Sequence, residues 1–128
     1  MVKLAEMEYM DEKIKPYKVL AKGTRRGMNY FVLSYGTHPC GYVEIKENSM
    51  FYEKDYLDDE LENIKCHGGL TYSNFYNLEG VNRYLLGWDY AHYNDCTGFS
   101  SYGRRWNTDE IIQECRKVID QLAEREQK

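Results

Sequence analysis

The chain has 128 residues, 42% of them apolar, with 13 tyrosines and a formal net charge of −4. That size suits one compact domain spanning 1–128, and so mild an acidity supplies no basic field to hold long DNA or RNA by counterion release. No stretch approaches the roughly 18 apolar residues of a membrane crossing, and the N-terminus lacks the apolar core of a secretion signal. A cytoplasmic protein is expected. The cysteines at 40, 66, 96 and 115 contain no Cys-x-x-Cys pair, which argues against a zinc knuckle and for free thiols.

In chain order, residues 1–14 place Leu4, Met7 and Met10 at roughly helical spacing before Pro16, so a short N-terminal helix is expected. From Tyr17 the pattern turns extended: Tyr17 to Lys22 as a strand, 23–27 as a turn, Met28 to Tyr35 as a second strand. A turn at 36–39 then leads into Cys40 to Lys46. Residues 47–65 are charged and tyrosine-bearing, with Leu57, Leu61 and Ile64 at helical spacing, and read as a long connection with a helical turn near its end. Leu70 to Phe75 and Arg83 to Tyr90 are two further strands, separated by a polar turn at 76–80. Residues 98–103 are glycine- and hydroxyl-rich and read as a surface loop, a flap over a pocket.

The last element is the most strongly marked. Asn107 with Glu110 forms a capping-box pattern, Asp109 adds negative charge at the helix start, and Ile111, Ile112, Cys115, Val118, Ile119 and Leu122 make one apolar stripe. A helix over about 108–125 follows. The fold class is α+β, an antiparallel sheet of about five strands packed against a C-terminal helix.

Two segments carry the chemistry. Cys66-His67-Gly68-Gly69-Leu70-Thr71-Tyr72-Ser73 and Gly87-Trp88-Asp89-Tyr90-Ala91-His92-Tyr93-Asn94-Asp95-Cys96 hold two of the three histidines, a glycine pair, two acids among aromatics, and the hydroxyls of Thr71, Tyr72 and Ser73. They read as halves of one small-molecule site. Gly68 and Gly69 let backbone N–H groups approach a ligand, as phosphate-binding loops do, although Gly-Gly is also an ordinary turn. Asp89, His92 and Asp95, three apart, suit a general base with its orienting acid, a divalent metal, or acceptors for ribose hydroxyls and base edges. The alternative is a pair of turn-capping aspartates with a surface histidine. Tyr72, Trp88, Tyr90 and Tyr93 can stack on a base or fill a core. Arg83, Arg104 and Arg105 suit phosphate pairing, and His38, before a proline in a turn, reads as structural.

These residues carry a resemblance. His67-Gly68-Gly69-Leu70-Thr71-Tyr72, then Gly87-Trp88-Asp89-Tyr90-Ala91-His92 and Asp95, resemble a family of small phage and prophage proteins with His-Gly-Gly-Leu-Thr-Tyr and Gly-[Phe/Trp]-Asp-x-Ala-His-x-x-Asp motifs. Gly41-Tyr42-Val43 and Tyr52-Glu53-Lys54-Asp55-Tyr56 are similar to its Gly-Tyr-Val and Tyr-Gly-Lys-Asp-Tyr signatures, so the likeness spans about 40–96. Glu53 stands where the family commonly has glycine, and Trp88 where it has phenylalanine.

The resemblance implies counter-defence in the host cell cytoplasm, by analogy with small phage proteins that capture or destroy nucleotide signals. Three functions follow. The first is a binding module that sequesters a small nucleotide-derived immune signal, with His67, Gly68, Gly69, Thr71, Tyr72, Trp88, Asp89, Tyr90, His92 and Asp95 as ligand contacts. The second is a phosphodiesterase or related hydrolase with His67 and His92 as base and acid and Asp89 orienting one imidazole, or with a divalent metal; no other cofactor is implied. The third is a protein inhibitor of a host nuclease or immune protein, using the acidic run from Glu53 to Glu62. The richness in tyrosine also fits a homo-oligomer.

Overall fold

A computed structural model of the chain describes residues 17–36, 38–90 and 106–127. Five antiparallel strands, β1 (Lys18–Arg25), β2 (Met28–Ser34), β3 (Pro39–Ile45), β4 (Tyr72–Leu78) and β5 (Val81–Asp89), form one sheet in the order β1-β2-β3-β5-β4. The C-terminal helix α1 (Thr108–Glu126) packs on β1, β2 and β3. This is the expected α+β arrangement. The helix expected over 1–14 and the loop at 98–103 lie outside the described residues.

Two strands run further than their composition suggests. β1 continues through Gly23 to Arg25, and β4 through Tyr76 to Leu78, because the turns that end them need only two residues each. Arg26 (φ 52°) with Gly27 (φ 81°), and Glu79 (φ 55°) with Gly80 (φ 80°), are both left-handed pairs. Positive φ at both central residues is the hairpin geometry whose twist matches the flanking strands. The connection from Ile45 to Tyr72 carries the chain past β5 to the far edge and contains one 3-10 turn, Asp59–Leu61.

The helix forms as its sequence predicts. The Glu110 N–H donates to Asn107 Oδ1 at 2.8 Å and the Asn107 N–H to Glu110 Oε1 at 3.3 Å. Ile111, Cys115, Val118, Ile119 and Leu122 are buried against Tyr30, Val32, Val43, Ile45, Leu86 and Trp88 of the sheet. Burial of each aliphatic side chain in that stripe contributes about 1.5–3 kcal/mol. A second row of helix side chains ties down the connection. Gln121 brackets Lys65, accepting from its N–H and donating to its carbonyl, and Arg125 Nη1 donates to the Glu60 carbonyl at 2.8 Å.

The face away from the helix is also buried, at Phe31, Leu33, Cys40, Tyr42, Leu78 and Leu85. The sheet curls around it. β1 and β4 are opposite edges, yet the Tyr17 ring lies 5.8 Å from the Tyr76 ring. Lys22 Nζ lies 3.2 Å from both carboxylate oxygens of Glu79, whose N–H donates to the Tyr17 hydroxyl at 2.9 Å. No Cα of β1 comes within 8 Å of one in β4. Side chains, not backbone hydrogen bonds, therefore close the seam. Inside the curl the Tyr35 hydroxyl hydrogen-bonds that of Tyr42 at 3.0 Å and also reaches Tyr76. Burial raises the pKa of all three phenols.

Three glycines admit large rings. A Cβ on Gly41 would stand 2.5 Å from Trp88 Cζ2, one on Gly87 2.5 Å from Tyr42 Cδ1, and one on Gly23 2.3 Å from the Tyr30 hydroxyl. Each glycine faces its ring directly across a strand pair. Gly41-Tyr42 on β3 and Gly87-Trp88 on β5 thus pair reciprocally: indole over glycine on the helix side, phenol over glycine inside the curl.

Candidate functional site

The two chemically dense segments lie side by side. Tyr72 pairs with Gly87 in the β4–β5 ladder, and the Thr71 N–H donates to the Gly87 carbonyl at 2.9 Å. Before β4 the chain turns at Cys66–Gly69, where the Gly69 N–H donates to the Cys66 carbonyl at 2.9 Å. Gly68 (φ 71°) and Gly69 (φ 77°) are both left-handed, a conformation that costs a residue with a Cβ roughly 1–2 kcal/mol. The turn thus favours glycine at both positions. At Gly69 the space that a Cβ would enter is open.

His67 sits in a ring cluster. Its imidazole stacks on the Tyr90 phenol, with centroids 4.9 Å apart and planes within 4°, and lies 4.7 Å from the Trp106 indole. Tyr90 and Trp106 are themselves 5.0 Å apart. The His67 backbone N–H donates to the Glu114 carboxylate on α1. Trp88 donates from Nε1 to the Tyr90 hydroxyl at 3.0 Å. Trp88 and Tyr90 are 1% and 0% exposed, so these rings pack the core under the half-buried imidazole. Burial, opposed by that bond from Trp88, holds the Tyr90 phenol protonated.

The remaining predicted residues divide between the sheet faces. Tyr72 points into the curl, its ring edge-on to Tyr42 at 5.7 Å. Asp89 pairs with Cys40 at the far end of β5, on the same inner face. Thr71 is exposed just before β4. His92, Tyr93, Asp95, Cys96, Arg104 and Arg105 lie outside the described residues. Among the described residues no group of three His, Cys, Asp or Glu is placed to hold a metal ion. Burial pushes the thiols of Cys40, Cys66 and Cys115 up to about 12. They are protonated at neutral pH and are poor nucleophiles.

A cavity of about 490 Å³ reaches the first segment at Gly69 and Leu70. Its other walls come from 56–64, including Tyr56, Asp59, Glu62 and Asn63, and not from the second segment. The Tyr56 N–H donates to Ser73 Oγ at 3.0 Å, tying this wall to β4. Sequence reasoning read 47–65 as a connection and so missed this wall; a tyrosine within the acidic run was the available signal. Glu53 (φ 62°) and Asn63 (φ 63°) are left-handed here. At position 53 a glycine would carry no steric cost.

No helix among the described residues is long and apolar enough to cross a membrane. Comparison with family models, with curated proteins and with solved structures finds no match to the chain.

Proposed function

We propose that this chain is a binding module of the phage counter-defence type that sequesters a small nucleotide-derived signal. Its site is the cavity between the Gly68–Gly69 turn and residues 56–64. The observation that carries this reading is the junction itself: a left-handed glycine turn bordering a 490 Å³ hollow with one tyrosine and two carboxylates on the opposite wall. The volume falls within the roughly 300–1,000 Å³ of small-molecule sites. Tyr56 supplies a flat wall for a base, Asp59 and Glu62 accept from ribose hydroxyls or exocyclic amines, and backbone without a Cβ lets the ligand approach closely.

The test is calorimetry against a panel of cyclic and linear nucleotides, followed by heat release and mass spectrometry of the ligand. Expected are saturable binding of at least one member, its recovery intact, and loss of binding in Tyr56→Ala with an unchanged circular dichroism spectrum. No binding by any member overturns the reading. Product accumulating beyond one equivalent replaces it with the hydrolase.

A further inference from the structure

The inner face of the curled sheet holds a second feature that the proposed site does not use. At the mouth of the curl a cavity of about 320 Å³ is lined by Lys22, Thr24, Phe31, Glu79 and Arg83, among others. Arg83 is held rigidly there. Its Nη1 donates to Glu44 Oε1 at 2.7 Å, its Nε to the Leu78 carbonyl at 3.4 Å, and its guanidinium lies 5.0 Å from the Phe31 ring centroid. Glu44 Oε1 also accepts from Asn29 Nδ2 at 3.0 Å, and Asn29 Oδ1 accepts from Thr24 Oγ1 at 2.8 Å. Glu44 and Arg83 are about one-sixth exposed.

Within this network one side of the guanidinium is unspent, since among the described residues no hydrogen bond uses Arg83 Nη2. The second cation of the cavity, Lys22, is 60% exposed and, among the described residues, gives its ammonium only to Glu79. Glu79 is a left-handed turn residue whose carboxylate reaches across the seam. Exposed ion pairs of this kind are worth little and are screened by salt. An oxyanion entering the mouth would meet the unspent Nη2 of a pre-oriented guanidinium on one side and an ammonium on the other, charge-assisted donors of the kind that phosphate and carboxylate accept.

We propose that the mouth of the curled sheet binds a compact oxyanion, a phosphate monoester or a carboxylate, and that the Glu79 carboxylate is its resident competitor for Lys22. The site lies on the opposite face of the sheet from the Gly69 cavity and does not rest on the nucleotide reading.

The experiment is a ¹H–¹⁵N titration of the full chain with inorganic phosphate, repeated with acetate, at constant ionic strength. Expected are saturable shifts at Gly23, Thr24, Gly80 and the Asn29 side-chain amide. Glu79→Gln should tighten phosphate binding roughly tenfold by removing a like charge, and Lys22→Gln should weaken it to a similar extent. Both side chains are on the surface, and Arg83→Lys, which keeps the charge but cannot hold Glu44 and the Leu78 carbonyl while presenting a further N–H, gives an independent variant that should also weaken binding. A preference for phosphate or acetate identifies which oxyanion source the mouth takes. The proposal is overturned by shifts that gather at Gly68 and Gly69 instead, by no saturable shift, or by equal affinity in all four proteins.

Discussion

Alanine at Gly41 should be one of the most damaging single-methyl additions in this chain. The new Cβ would lie 2.5 Å from Trp88 Cζ2, 2.7 Å from Cε2 and 3.1 Å from Nε1, inside any tolerable contact. Trp88 cannot retreat freely, because it is 1% exposed and its Nε1–H is committed to the Tyr90 hydroxyl at 3.0 Å. Overpacking costs about 1–3 kcal/mol, and disturbing that hydrogen bond about 1 kcal/mol. The reduced freedom of the unfolded chain returns about 0.4–1 kcal/mol. The net is a loss of about 2 kcal/mol, or roughly 8 °C in Tm for a chain of this size. The assay is urea unfolding by circular dichroism for Gly41→Ala, Trp88→Phe and the double variant. A phenyl ring stops short of Cζ2 and has no Nε1, so in the Trp88→Phe background the same alanine should cost less than about 0.5 kcal/mol, a coupling of about 1.5 kcal/mol. An equal cost in both backgrounds would refute the steric argument.

Three further outcomes are expected. Glu53→Gly should leave stability unchanged or raise it by up to about 1 kcal/mol in the same assay, because relief of the left-handed backbone outweighs or balances the added freedom of the unfolded chain. In a Cys96→Ser background, alkylation at pH 8 should be roughly a thousandfold slower than for a free cysteine, since thiols near 12 supply so little thiolate; mass spectrometry of the labelled protein reads this. Asp120 is held below its ordinary carboxylate value chiefly by the hydrogen bond from Arg25, with Arg26 adding to it. A depressed carboxylate contributes stability above its unfolded pKa of about 3.9 and loses it as pH falls through the folded value. Asp120→Asn should therefore flatten the acid limb of the stability–pH curve below about pH 4 and leave the limb above neutrality unchanged.

Much of the fold was legible. The capping box and apolar stripe located the helix because both are local signals, and alternation of branched and aromatic residues located all five strands. The ends of β1 and β4 were misplaced because Arg26-Gly27 and Glu79-Gly80 lack the usual asparagine or aspartate of two-residue hairpin turns, and nothing local marks Arg26 or Glu79 as left-handed. The adjacency of the two dense segments was legible from their richness, and their division between sheet faces was not. Trp88 and Tyr90 alternate with Asp89, so strand geometry alone sends them to opposite sides of the sheet. Gly41 and Gly87 carry no distinguishing signal in sequence; only cross-strand pairing reveals that each accommodates a neighbour's ring. The cavity wall at 56–64 was hidden because the helical spacing of Leu57, Leu61 and Ile64 marks only one short turn, Asp59–Leu61, and says nothing of the hollow that the surrounding backbone leaves.

The cluster of His67, Tyr90 and Trp106 has a consequence for what can be changed in this protein. Tyr90 and Trp106 border residues 91–105, and their rings meet 5.0 Å apart with the imidazole packed against both. Rings from three separate parts of the chain therefore hold the end of β5, the turn before β4 and the approach to α1 against one another. Truncating any one of these rings removes a neighbour from the other two, so double substitutions within the cluster should depart from the sum of the single ones.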